Sequence, residues 1–203
     1  MIIGITGSIG SGKTTAAELF KKYGFEVVSA DAIAHHIIKK NSIAYKKIIK
    51  SFGNKVLDEN KNIDRKRFGD VVFSDNEKLK KLNSITHSII TEEIKNSIKK
   101  IQKKCGRKTR IVIDAPLLLE TQTKNLVDKI LVVTCDHDNI FKRLNKKYSK
   151  DKIEKILKSQ MPLNEKITYA DFVIDNNKDL KHLEEQVKKI VEKIEHPNQF
   201  KNK

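Results

Sequence analysis

The chain has 203 residues, 38% of them hydrophobic, which suffices for one α/β domain with a modest insert, and no stretch is apolar for long enough to span a bilayer. Its 42 Lys and Arg outweigh 26 Asp and Glu, a formal charge of +16; because these cations are spread along most of the expected helices and gather in no aromatic-interleaved patch, they read as solvated faces that also attract polyphosphates, without a nucleic-acid partner. Cys105 and Cys135 have no metal-ligand spacing and suit free thiols in a reducing cytoplasm.

Met1 to Thr6 is a short apolar run rich in β-branched residues, too short for a signal segment and consistent with a buried strand. Gly7-Ser8-Ile9-Gly10-Ser11-Gly12-Lys13-Thr14 follows and fits G-x-x-x-x-G-K-[ST], the phosphate-binding loop, or P-loop. Three of the chain's eight glycines fall in this octet, where they let the backbone curl so that successive N–H groups point at one anion. A helix expected over Thr15 to Tyr23 adds the positive end of its dipole. Residues Gly7 to Thr15 are therefore the candidate nucleotide site, with Lys13 reaching the outer phosphates and the Thr14 hydroxyl available to Mg²⁺.

Four further strands are expected at Phe25–Ser29, Arg110–Ile113, Lys129–Thr134 and Asp171–Ile174, with helical segments between them. That alternation predicts a five-stranded parallel sheet covered on both faces, with ligands at the carboxyl ends of the strands. Residues 31–105 hold almost no strand signal; three or four helices, near 32–50, 64–73 and 76–103, make this an inserted substrate region. A second helical piece, 137–169, carries the basic run Lys142 to Lys147 and suits a lid over phosphates. The core is then 1–30, 106–136 and 170–195 of one domain spanning 1–203, with an amphipathic helix at 179–195 and a frayed tail at 196–203.

Distance arguments single out Asp31. A ten-residue helix carries the chain about 15 Å from the loop, and a five-residue strand returns it by about 16 Å. A carboxylate at that edge can contact Mg²⁺ or hold an acceptor hydroxyl; the alternative is an N-cap for the helix from Ala32. Asp114 ends the strand Ile111-Val112-Ile113, as acids that hold the metal do in phosphate-loop enzymes; the alternative is a strand-end aspartate satisfied by backbone N–H groups. Asp136 and Asp175 read as capping and turn residues. Arg143 is the lid cation that, with Lys13, would neutralise charge in a phosphoryl transition state. Pro116 ends its strand, and Leu117, Leu118 and Leu119 are expected to form an apolar wall at the ligand edge. By themselves, Arg65 and His87 are ordinary helix residues.

Together these segments resemble the dephospho-CoA kinase family over nearly the whole chain. Gly4 to Thr15 is similar to that family's G-L-T-G-G-I-G-S-G-K-S-T opening, and Ser29-Ala30-Asp31 to its D-A-D with the first Asp replaced. Phe52-Gly53 and Asp64-Arg65 resemble its F-G and N-R signals. Pro116 to Glu120 resembles P-L-L-F-E, and Gln160 with Ala170 to Asn176 resembles the late Q and A-D-F-V-I-x-N. The resemblance implies a P-loop kinase of three layers with a helical CoA-binding insert and a small lid. It implies ATP-dependent, Mg²⁺-assisted phosphorylation of the ribose 3′-hydroxyl of dephospho-CoA, the last step of coenzyme A synthesis. It makes Asp31 the base, Arg65 and His87 substrate contacts and Arg143 a lid residue near the phosphates; Leu117 as a substrate contact and Thr14 with Asp114 as the metal's side chains remain candidates from the residues themselves. Partners other than ATP and dephospho-CoA are not implied, and the chain is expected as a monomer or small homo-oligomer. The family usually has Arg at His35 and His-Pro where this chain has His87-Ser88; Lys147 replaces a second lid arginine, keeping the charge but losing the bidentate fork.

Another small-molecule kinase of the same fold would share the loop and lid but not the Ser29–Asp31 and Pro116–Glu120 segments. A regulatory GTPase would need D-x-x-G and N-K-x-D; no Asp in this chain has Gly three positions on, and Asn176-Asn177-Lys178-Asp179 has the wrong spacing.

Overall fold

A computed structural model describes residues 1–196; the tail expected at 196–203 lies, past His196, outside the described residues. The chain divides into two compact units, one of residues 1–28 and 98–203 and one of residues 29–97.

In the first unit, β1 (Ile2–Thr6), β3 (Ile111–Asp114), β4 (Lys129–Thr134) and β5 (Phe172–Asp175) join β2 (Glu26–Ser29) in a parallel sheet of order β2-β3-β1-β4-β5. The register sets Ile5 beside Asp114 and beside Leu131, and Thr134 beside Asp175. The central strands are nearly continuous apolar runs because both faces are covered. Helices α1 (Lys13–Lys21) and α9 (Leu180–Glu195) supply Ala16, Leu19, Phe20, Leu183, Val187 and Ile190, which pack with Ile3, Ile5, Val112, Leu131 and Ile174 into one core. Each large side chain buried there contributes roughly 1.5–3 kcal/mol. Gly4, in the middle of β1, lies directly under the methyl groups of the fully buried Leu118.

The remaining helices of this unit are α6 (His137–Leu144), α7 (Lys150–Lys158) and α8 (Leu163–Thr168). Ile140 and Ile153 bury their side chains with Cys135, which follows β4. Burial pushes the Cys135 thiol above its usual pKa, outweighing the opposing pull of Arg143. Among the described residues no helix is long and apolar enough to cross a membrane.

The second unit holds α2 (Ala30–Ile37), α3 (Ile43–Phe52), α4 (Arg65–Phe73) and most of α5 (Asn76–Cys105). Its own core is Ile48, Phe52, Val56, Ile63, Phe68, Val72 and Ile85, with Phe52 edge-on to Phe68. The helix expected over 32–50 is two helices. Asn41 breaks it at a φ of 70°, a conformation Asn tolerates, and Ser42 starts α3 by accepting the Tyr45 N–H at 3.0 Å. The helix expected from Thr15 begins instead at Lys13, because Gly12, at φ 94° and ψ 20°, turns the loop straight into it.

Candidate active site

The loop from Gly7 to Gly12 joins β1 to α1, whose first residues Lys13, Thr14 and Thr15 complete the motif. Gly12 must be glycine: beyond its positive φ, a β-carbon there would collide with the side-chain amide of Asn176. Helix α1 has no side-chain cap and no acid in its first turn, so its first N–H groups are left for an anion. The loop carbonyls, by contrast, are taken by side chains. Asn176 Nδ2 donates to Ser11 O at 2.7 Å. Arg143 Nη1 donates to Gly10 O at 3.1 Å and Ser11 O at 3.3 Å, and its Nη2 to Asn176 O at 2.8 Å. Filling these acceptors leaves fewer carbonyls to repel an anion.

Lys13 is buried, with Nζ donating to Ser8 O at 2.9 Å. The Thr14 hydroxyl donates to Oδ2 of the buried Asp114 at 2.7 Å. This bond pairs the carboxylate at the end of β3 with the hydroxyl in the first turn of α1. Two hard oxygen donors side by side fit Mg²⁺, which usually takes one or two protein oxygens and completes its shell with phosphate and water. Among the described residues no group of three or more His, Cys, Asp or Glu forms a site for a softer metal.

Asp31, Arg65 and His87 belong to the second unit. Asp31 lies in the first turn of α2, two residues past β2, with its side chain exposed. It is not the helix cap: Ser29 is, through its Oγ and the Ala32 N–H at 3.2 Å. Arg65 is the exposed first residue of α4, whose cap is Asp64, and His87 is half-buried on α5. Of the departures from the family pattern, His35 and Ser88 are exposed, and Lys147 lies over the Tyr148 ring at 5.2 Å.

Two expectations change, and one holds. The apolar wall reduces to the half-exposed Leu117, because Leu118 and Leu119 turn inward and are buried in the core. Asp136 precedes α6 but makes no side-chain cap; its N–H is instead held by Asn177 Oδ1 at 2.7 Å. Asp175 does form the expected turn, accepting the Asn177 N–H at 3.2 Å. Four polar residues bonded to the loop or to its supports have no role in the sequence reading: Asn176, Gln160, Glu120 and Lys166. The first three lie inside motifs that could have flagged them; Lys166 is one lysine in a lysine-rich chain and carries no signal.

A family model described as dephospho-CoA kinase matches residues 1–182. The chain belongs to the dephospho-CoA kinase family. It is 43% identical over 199 residues to the dephospho-CoA kinase of Fusobacterium nucleatum, covering 96% of this chain and 98% of that one. It is 40% identical over 193 residues to the enzyme of Aquifex aeolicus, covering 95% and 96%. Among solved structures, the dephospho-CoA kinase from Campylobacter jejuni superposes with a TM-score of 0.69 at 30% identity, covering 97% of this chain and 98% of that one. A shikimate kinase from Acinetobacter baumannii superposes at 0.57 with 14% identity, covering 97% and 94%, which shows a shared fold alone.

Proposed function

We propose that this member of the family transfers the γ-phosphoryl group of ATP to the ribose 3′-hydroxyl of dephospho-CoA, giving coenzyme A and ADP. The reading rests above all on a glycine loop whose Gly10 and Ser11 carbonyls are already bonded, followed by the Thr14–Asp114 oxygen pair, in a chain matching that family along its length. The residues of Gly7 to Thr15 hold the phosphates through main-chain N–H groups. Lys13 leaves Ser8 O for the outer phosphates and neutralises charge as the β–γ bridging P–O bond breaks. Thr14 and Asp114 hold Mg²⁺, which when bound draws off charge from the phosphate oxygens. Asp31 orients the acceptor hydroxyl and takes its proton as the new O–P bond forms. Because the transition state is largely dissociative, that transfer comes late. Its exposure, with Ser29 already serving as cap, supports this role.

In the same proposal, residues 31–105 bind the CoA portion through Arg65 and His87, Leu117 is a further substrate contact, and residues 137–169 form the lid. Arg143 serves first as a brace for the loop, and its guanidinium stands beside the phosphates when they bind. A nucleic-acid partner is not part of the reading: helix lysines such as Lys21 and Lys80 pair with glutamates three residues earlier on their own solvated faces. The compartment is the cytoplasm, in keeping with two unpaired thiols, and the working form is a monomer or small homo-oligomer.

The test is a coupled ADP-release assay with dephospho-CoA. Wild-type protein should turn over, Lys13→Ala should lose about 10²–10³ in kcat, and Asp31→Asn about 10²–10⁴ while still binding ATP. Full turnover by Asp31→Asn would remove the base assignment; turnover only with a different acceptor would overturn the substrate.

A further inference from the structure

The peptide group between Ser8 and Ile9 is held on both sides. Its carbonyl accepts the Lys13 ammonium at 2.9 Å and the Ser11 N–H at 3.2 Å. Its N–H donates to Gln160 Oε1 at 3.1 Å, 151 residues away. A peptide unit is planar, so fixing its N–H fixes the direction of its carbonyl. Gln160 thereby determines where the loop lysine is parked.

Gln160 stands on the turn between α7 and α8, and the turn is itself fastened. The Met161 N–H donates to Glu120 Oε1 at 3.0 Å. The same oxygen pairs with Lys166 Nζ at 2.9 Å. Lys166 is fully buried, and its ammonium also donates to Pro116 O at 2.8 Å and Thr6 Oγ1 at 3.4 Å. Three donors thus meet three acceptors, as a buried ammonium requires. Thr6 ends β1 just before Gly7, so the chain of contacts runs from the loop back to the strand that leads into it. Burying a charged pair is a poor route to stability, since apolar replacements are often as good or better; what this pair supplies is a fixed position.

We propose that Gln160 is a positioning residue that aims Lys13 through the Ser8–Ile9 peptide, with Glu120 and Lys166 holding Gln160 in place. The inference rests on the reading of the loop as the ATP phosphate site. To test it, the full-length chain is titrated with a fluorescent ATP analogue, and KM for each substrate and thermal stability are measured alongside. Gln160→Leu should raise the analogue's Kd and the KM for ATP about fivefold, the worth of roughly one hydrogen bond. KM for dephospho-CoA should stay the same and the melting temperature should move by no more than about two degrees. Lys166→Met should weaken binding in the same direction, Lys166→Arg should recover part of the loss, and Gln160→Leu added to Lys166→Met should cost nothing more, because both act along one path. Unchanged affinity in Gln160→Leu overturns the proposal, as do independent, multiplying losses in the double variant. If Lys166→Met does not fold, Gln160→Leu and Lys166→Arg decide. A chain that shows the expected affinity changes yet fails to phosphorylate dephospho-CoA supports this inference and refutes the assigned acceptor instead.

Discussion

The two compact units secure their functional residues by opposite means. Around the P-loop, the partners come from far along the chain: Arg143 and Asn176 take the carbonyls of Gly10 and Ser11, and Gln160 takes the Ile9 amide. In the helical unit, the bonds at the helix starts are local, from Ser29 to Ala32, Ser42 to Tyr45 and Asp64 to Arg67. Long-range bonds exist only when the whole sheet is assembled, so they make a surface that is already shaped before a ligand arrives. Local caps set where a helix begins and leave the side chains beyond it, such as Asp31 and Arg65, exposed. One unit is built to hold a standard group, the triphosphate; the other displays residues on independent helix starts.

The strongest way to break this contrast is Gly12→Ala. It meets both a positive φ and the Asn176 amide, so nucleotide binding should fall by more than about tenfold with α2 to α5 still folded. A variant with native affinity in a fluorescent-nucleotide titration would show that the loop adapts and is not preformed. Arg143→Met removes three bonds to main-chain carbonyls; its Kd for nucleotide should rise about tenfold, with KM for dephospho-CoA nearly unchanged. Ser42→Ala is the counterpart in the helical unit. It should cost about 1 kcal/mol, visible as a lowered urea midpoint, while nucleotide affinity stays at the wild-type value.

The smallest expected effect is one of pH. Asp171 is pushed up by burial, but the Lys129 ammonium and the Ile130 N–H, at 2.7 and 2.8 Å, outweigh this and hold its pKa below the usual value. A depressed pKa in the folded state stabilises the protein above the unfolded value of about 3.9 and ceases to as pH falls through the lower folded one. Asp171→Asn should therefore be the less stable protein at neutral pH, and the gap should close in acid unfolding curves below about pH 4. A gap that persists in acid would mean the loss is one of packing.

The sheet was readable because each strand is a local apolar run, and the loop because its glycines have a fixed spacing. The break between α2 and α3 was missed because a single Asn in αL looks no different in sequence from one within a helix. Leu118 and Leu119 were assigned to the ligand edge since apolarity alone does not tell a wall from a core. Arg143 was found by its charge, but not its bonds to loop carbonyls, which depend on the return of α6 beside β5. Lys166 was invisible among so many lysines, and only burial distinguishes it. Asp31 was singled out by distance, and Ser29 then removed the competing explanation of its place.

Gly4 has no positive φ to explain it; its role is vacancy. The methyl groups of Leu118 rest where a side chain on the central strand would project, so even alanine there would push Leu118 and Val127 out of their places. The empty position on β1 is what lets the Pro116–Glu120 segment lay Leu118 across the strand that feeds the loop.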